Sequence, residues 1–199
     1  MKKIIILLTV AVHISFANGN SILFLGDSLT EGYGLQKQQA FPKIVENLIQ
    51  TKLSKDIKVI NGGVSGSTTT DALARLQWYL RKKPSLIFIA IGANDGLRGL
   101  NLTQSKKNLQ KIIENALASN AKVIISGMLI PPNYGAKYTQ EFKNMYEDLA
   151  KKYSLKMMPF LLDGVAGEKA MNQTDGIHPN EKGHILIAKN VFEFIKKDL

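Results

Sequence analysis

Short apolar runs alternate with longer segments of helical periodicity along almost the whole chain, and this alternation leaves few folds open. Runs at 22–25, 57–60, 86–91 and 123–126 read as strands, and 155–158 as a short, weak fifth one. The run at 86–91 is apolar throughout, as a strand covered on both faces must be. Between them, 41–52, 70–82, 102–119, 139–153 and 181–197 carry apolar residues at helical spacing, such as Leu73, Leu76 and Leu80, or Phe142, Met145, Tyr146 and Leu149. Asn61-Gly62-Gly63 closes the second strand, and Pro84 follows the second of these helices. Strand and helix in strict alternation imply a three-layer α/β/α sandwich around a mainly parallel five-stranded sheet. No internal repeat, low-complexity tract or linker interrupts it, so a single domain is expected over 18–199.

The first residues read differently. Lys2 and Lys3 precede an apolar run at 4–12, and Ser15-Phe16-Ala17 places small residues where a signal peptidase cuts. A signal peptide over 1–17 is expected, with cleavage after Ala17 and a mature chain in the periplasm or the medium. The run is short for a hydrocarbon core of about 30 Å, so no stable membrane span is expected once it is removed. There are no cysteines, which excludes disulfides, cysteine nucleophiles and thiolate metal sites.

A formal charge of +10 raises the question of a polyanionic partner. The positive residues are nearly all lysines, single or paired along helix faces, and the arginines are only Arg75, Arg81 and Arg98. A nucleic-acid surface shows basic clusters with arginine forks and interleaved aromatics. A solvated, lysine-biased surface is the simpler reading, and no nucleic-acid partner is expected.

Functional groups in open α/β sheets collect beyond the carboxyl ends of the strands. Three polar, glycine-containing blocks fall there: Gly26-Asp27-Ser28-Leu29 after the first strand, Ser65-Gly66 after the second, and Gly92-Ala93-Asn94-Asp95 after the third. A fourth, Asp175-Gly176-Ile177-His178-Pro179, precedes the last helix. The chain has three histidines, and His13 belongs to the leader. His184 follows Gly183 early in a helix, has no nearby acid, and reads as a surface or packing residue. His178 has Asp175 three positions earlier, a spacing that lets the carboxylate fix the imidazole tautomer. A serine hydroxyl needs such a base to become a nucleophile at neutral pH. Ser28 is the candidate nucleophile, and its own N–H, the N–H of Gly66 and the side-chain amide of Asn94 are candidate oxyanion donors. Taken singly each block has a plainer reading: a helix-capping serine, a flexible glycine loop, a turn asparagine. The usual nucleophile elbow G-x-S-x-G is absent, which disfavours an ordinary α/β-hydrolase. Asp27 and Asp95 read as carboxylates that pin loops.

In combination the blocks resemble the SGNH (GDSL-type) hydrolase family. Gly26-Asp27-Ser28-Leu29-Thr30-Glu31-Gly32-Tyr33-Gly34, Gly92-Ala93-Asn94-Asp95-Gly96-Leu97-Arg98-Gly99, Pro132-Asn133-Tyr134-Gly135 and Asp175-Gly176-Ile177-His178-Pro179-Asn180 are similar to its bacterial thioesterase I, lysophospholipase and arylesterase subgroup. The resemblance implies a flavodoxin-like sheet, a Ser28–His178–Asp175 triad, and an oxyanion hole from Ser28, Gly66 and Asn94. It implies hydrolysis of acyl esters such as lysophospholipids or aryl and alkyl esters, and by extension thioesters, without metal or organic cofactor. It also implies contact of Pro132 and Tyr134 with the acyl chain. One departure stands out: the subgroup usually has an Asp where this chain has Ser67. A monomer acting on a small acyl ester is expected.

Other readings fit less well. A nucleotide-binding domain needs G-x-G-x-x-G after the first strand, and Gly26, Gly32 and Gly34 do not have that spacing. A non-catalytic binding domain has no use for an acid-oriented imidazole beside a serine. A carbohydrate O-acetylesterase of the cell envelope would use the same triad and is separated only by substrate.

Overall fold

The computed structural model describes residues 19–199, and the expected signal peptide lies outside the described residues. Five parallel strands form one sheet in the order β2-β1-β3-β4-β5. They are β1 (Gly19–Gly26), β2 (Lys58–Gly63), β3 (Pro84–Ala90), β4 (Lys122–Ser126) and β5 (Lys156–Met158). Seven helices connect or follow them: α1 (Ser28–Glu31), α2 (Phe41–Leu53), α3 (Thr69–Leu80), α4 (Ala93–Leu97), α5 (Leu102–Ala118), α6 (Ala136–Lys152) and α7 (Glu181–Ile195). Among the long helices α2 packs on α7, while α5 packs between α3 and α6. The expected α/β/α sandwich is the observed one.

The central strands are apolar on both faces because both are covered. Ile22, Leu23, Phe24 and Leu25 of β1 and Ile87, Phe88 and Ile89 of β3 are fully buried. Phe24 meets Phe88 at a ring separation of 5.3 Å and Phe41 of α2 edge-on at 5.4 Å, which ties the sheet to its helical layer. The sequence pattern locates every long element and misplaces some ends. Strand β2 continues through Asn61, Gly62 and Gly63, because these residues stay in register with Phe24, Leu25 and Gly26. Their turn-like composition serves close packing instead. Helix α7 ends at Ile195, and a 3₁₀ turn over Lys196–Asp198 finishes the chain.

The chain leaves β1 for β2 on one side and later returns to place β3 on the other. This order opens a crevice between the carboxyl ends of β1 and β3, the usual place for a ligand. Helix α1 sits directly on the strand ends. A Cβ on Gly63 would lie 2.1 Å from the Glu31 nitrogen, and one on Gly26 would lie 2.0 Å from Thr30 Oγ1. Only glycine lets the helix start this low. Gly63→Ala is therefore expected to destabilise the fold by about 2–3 kcal/mol, read as a lower urea midpoint. A midpoint equal to that of the parent protein would show that α1 can lift without cost.

Candidate active site

Asp27 caps α1: its Oδ1 accepts from the Leu29 N–H at 3.0 Å. Ser28 is thus the first helical residue rather than the cap. Its side chain points to His178, with Oγ 3.0 Å from Nε2. The opposite ring nitrogen, Nδ1, lies 2.7 Å from Asp175 Oδ2. Asp175 Oδ1 accepts from the N–H groups of Ile177 and His178, both at 2.9 Å. These hydrogen bonds, the His178 backbone bond foremost, hold the carboxyl at about 2, so it is ionised at neutral pH. An ionised acceptor at Nδ1 puts the imidazole proton there and leaves Nε2 free to accept from Ser28.

The loop carrying the acid and base has little regular structure, yet it is tightly held. The Gln173 N–H donates to the His178 carbonyl at 2.7 Å, and Asn172 bridges to Pro179. Asn180 caps α7 through the Gly183 N–H and donates back to the carbonyls of Ala170 and Asn172. Tyr33 lays its ring against that of His178, with centroids 4.5 Å apart.

Gly66 turns with φ +75°, a conformation that favours glycine. Among the described residues its N–H and that of Ser28 donate to no protein acceptor. Asn94 lies on α4, where its Nδ2 donates to the Ser67 carbonyl at 3.0 Å and keeps a second hydrogen for another acceptor. Three ionic side chains brace the Gly66 loop. Arg98 donates to the Gly66 carbonyl at 3.0 Å and reaches Asn94 Oδ1 at 3.4 Å. Arg75 donates to Ser67 Oγ at 2.9 Å and to the Gly26 carbonyl at 2.5 Å. Glu31 accepts from the N–H and hydroxyl of Ser65. Ser67 is thereby a neutral acceptor for Arg75. Asp95 fixes α4 to α3 by accepting from the Thr69 N–H and hydroxyl and from Ser105. None of the roles of Arg75, Arg98, Glu31 or Tyr33 was legible in the sequence; Glu31, Tyr33 and Arg98 belong to the resembling blocks, and Arg75 to none of them.

A cavity of about 290 Å³ opens at Ser28, Asn94 and His178. Its far walls are apolar: Leu97, Met128, Leu129, Pro131, Phe160 and Leu162. Pro132 and Tyr134 do not line it. They form a 3₁₀ turn behind its wall, where the Tyr134 hydroxyl donates to the Leu97 carbonyl at 2.7 Å and the ring stacks on Tyr138. Leu97, the stretch 128–131 and the pair Phe160 and Leu162 come from three separate segments that no sequence motif joins.

His184 is a packing histidine. It is buried, and its Nδ1 accepts from the Phe41 N–H at 3.1 Å. Burial pulls its pKa down to about 4. Burial pushes Asp27 the other way, up to about 6, and its Oδ2 has no hydrogen-bond partner among the described residues.

The matches to known proteins fit this geometry. Residues 24–186 match the model of the GDSL-like lipase/acylhydrolase family. The chain is 35% identical to esterase TesA of Pseudomonas aeruginosa, with 90% of each chain covered. It is also 35% identical to the thioesterase 1/protease 1/lysophospholipase L1 of Escherichia coli, over 86% of this chain and 81% of that one. Among solved structures, the psychrotrophic esterase EstA from Pseudoalteromonas sp., inhibited by monoethylphosphonate, superposes with a TM-score of 0.85. It is 35% identical, and the match covers 89% of this chain and 97% of that one.

The two buried groups give opposite pH dependences. The folded pKa of His184 lies below its unfolded value of 6.5, so the unfolded chain binds the extra proton and stability is lost as pH falls from about 6.5 to 4. The folded pKa of Asp27 lies above 3.8, so its contribution is present below about 4 and lost as pH rises to about 6. Each is worth on the order of 3 kcal/mol, and they offset one another in the parent protein. His184→Asn is expected to gain urea stability as pH falls from 7 to 4.5, and Asp27→Asn to lose it. Parallel pH profiles for the two variants would contradict both assignments.

Proposed function

The chain belongs to the GDSL-like lipase/acylhydrolase family and is a hydrolase of carboxylic esters, and we propose that it acts through an acyl-enzyme on Ser28. The observation that carries this reading is the line Ser28 Oγ, His178, Asp175, with contacts of 3.0 and 2.7 Å, at the mouth of an apolar cavity. His178 Nε2 takes the Ser28 proton as Oγ adds to the ester carbonyl. The carbonyl oxygen becomes an anion facing the N–H groups of Ser28 and Gly66 and the Asn94 amide. The imidazolium, stabilised by Asp175, gives its proton to the leaving alcohol as the C–O bond breaks. Water, deprotonated by His178, then attacks the acyl-enzyme, and Ser28 recovers its proton as the acid leaves.

The substrate class follows from the cavity walls. An apolar pocket favours acyl chains longer than acetyl, since an acetyl group leaves most of it empty. That weighs against an O-acetylesterase of envelope glycans. Lysophospholipids and aryl or alkyl esters suit it, and thioesters would react by the same steps with a thiol leaving. The signal-peptide pattern supports export to the periplasm or medium, where envelope lipids are met and acyl-CoA is not. No described helix is long and apolar enough to cross a membrane. The mature chain acts as a monomer in this reading, since one chain supplies every group of the site.

Three outcomes are expected with p-nitrophenyl esters from acetate to palmitate. Ser28→Ala should lose about 10⁴-fold or more in kcat, and retained activity would remove the mechanism. Arg98→Met should lower kcat roughly tenfold with KM unchanged, because it frees the loop that presents an oxyanion donor. Partial recovery in Arg98→Lys would separate that role from general destabilisation. Tyr134→Ala, which frees the Leu97 wall, should shift the preferred chain length more than it lowers the rate on acetate. An equal loss at all lengths would place Tyr134 outside acyl recognition.

A further inference from the structure

A second cleft lies beside the catalytic pair, with Tyr33 between it and His178. It encloses about 800 Å³ between α1, the start of α2 and the exposed edge of β2, and the two cavities share no lining residue. Its walls include Glu31, Tyr33, Lys37, Lys43, Asn61 and Ser65. Tyr33 joins it to the catalytic pair, because the ring that forms its near wall lies against His178. Ser65 joins it to the oxyanion loop, being the residue before Gly66.

An ester has two halves, and only one is accounted for by the apolar cavity. With the acyl chain among Leu97, Met128 and Phe160 and the carbonyl oxygen on its donors, the leaving oxygen faces His178 Nε2. The rest of the alcohol must then extend away from the acyl cavity, past Tyr33. The cleft walls are polar and charged. The Asn61 amide is held by the Thr30 carbonyl and the Gly63 N–H, and Ser65 donates to Glu31, so the remaining lone pairs of Glu31 and Ser65 suit hydroxyl groups. Two lysines also line the cleft. Lys43 is already paired with Glu46, whereas Lys37 has no carboxylate partner among the described residues. A cation without a carboxylate partner in the wall of a cleft that also offers hydroxyl acceptors fits an anion carried on a polyol.

We propose that this cleft is the leaving-group subsite, and that it receives the glycerophosphodiester of an anionic lysophospholipid with Lys37 facing the phosphate. The proposal rests on the acyl-ester reading above. The glycerol hydroxyl lies among Glu31, Asn61 and Ser65, and Tyr33 forms the wall between headgroup and imidazole. Nothing in this arrangement changes the chemistry at Ser28, so the subsite acts on KM for substrates that carry the headgroup.

The experiment compares lysophosphatidylglycerol, monoacylglycerol and a p-nitrophenyl ester, all with one acyl chain and in one non-ionic detergent. The proteins are the parent enzyme, Lys37→Glu, and Lys111→Glu on the exposed face of α5 as a control for overall charge. Lys37→Glu should raise KM for lysophosphatidylglycerol about fivefold to tenfold, with kcat and both uncharged substrates within twofold. Lys111→Glu should leave all three substrates within twofold. The subsite is overturned if Lys37→Glu has no effect, if it slows monoacylglycerol equally, or if Lys111→Glu matches it on the anionic lipid. It is overturned also if the parent enzyme cleaves the p-nitrophenyl ester but not lysophosphatidylglycerol. Failure on all three esters overturns the hydrolase reading itself, a result distinct from loss of the subsite alone.

Discussion

The contact of α1 with the carboxyl ends of β1 and β2 sets the position of everything else at the site. Added Cβ atoms at Gly26 and Gly63 would strike Thr30 and Glu31 at separations that no real contact shows. The helix begins as low on the sheet as two glycines permit, and Asp27 fixes its first turn. Ser28 is delivered to the crevice between β1 and β3 with its N–H unengaged and its hydroxyl toward His178. A serine on a longer linker would have to be ordered at each turnover. Here that entropy is lost once, in folding.

Among the other candidate groups, Asp175, His178 and Gly66 stand on segments with little regular structure, and charged side chains help order them where a hydrogen-bond ladder would do so elsewhere. Arg75 and Arg98 donate to backbone carbonyls of the strand ends and the Gly66 loop, while Glu31 and Asp175 accept from backbone N–H groups. Bonds between an ionised side chain and the backbone are among the stronger hydrogen bonds. Removing one partner strands a polar group, so the network behaves as a unit. Its product is a set of donors aimed before any charge develops, which is the condition for electrostatic stabilisation of a transition state. Asp27 is the exception. Its Oδ2 has no partner among the described residues, and burial raises its pKa.

The sequence carried the fold clearly because the signal is periodic. The buried run over β3 and the helical spacing of α3 and α6 each repeat a pattern that burial enforces over several residues. The candidate triad could be read for a different reason: only His178 and His184 follow the expected signal peptide, and only His178 has an acid at hand. The pocket was not legible, because Leu97, Met128, Phe160 and Leu162 are ordinary apolar residues until folding brings three segments together. The expected contact of Pro132 and Tyr134 with substrate took its support from resemblance. In the fold they stand behind the wall, with Tyr134 holding Leu97. The loop braces were hidden as well, since nothing local distinguishes Arg75 or Arg98 from a surface arginine.

Covalent trapping tests the central claim most directly. The folded protein would be treated with an alkylphosphonate p-nitrophenyl ester, followed by intact mass and peptide mapping. One phosphonyl group per chain is expected, on Ser28, with p-nitrophenol released in equal amount and no adduct in Ser28→Ala. Replacing His178 by Ala should slow the labelling severely, since the hydroxyl then has no base. An adduct on Ser65 or Ser67, or rapid labelling of Ser28 without His178, would contradict the account.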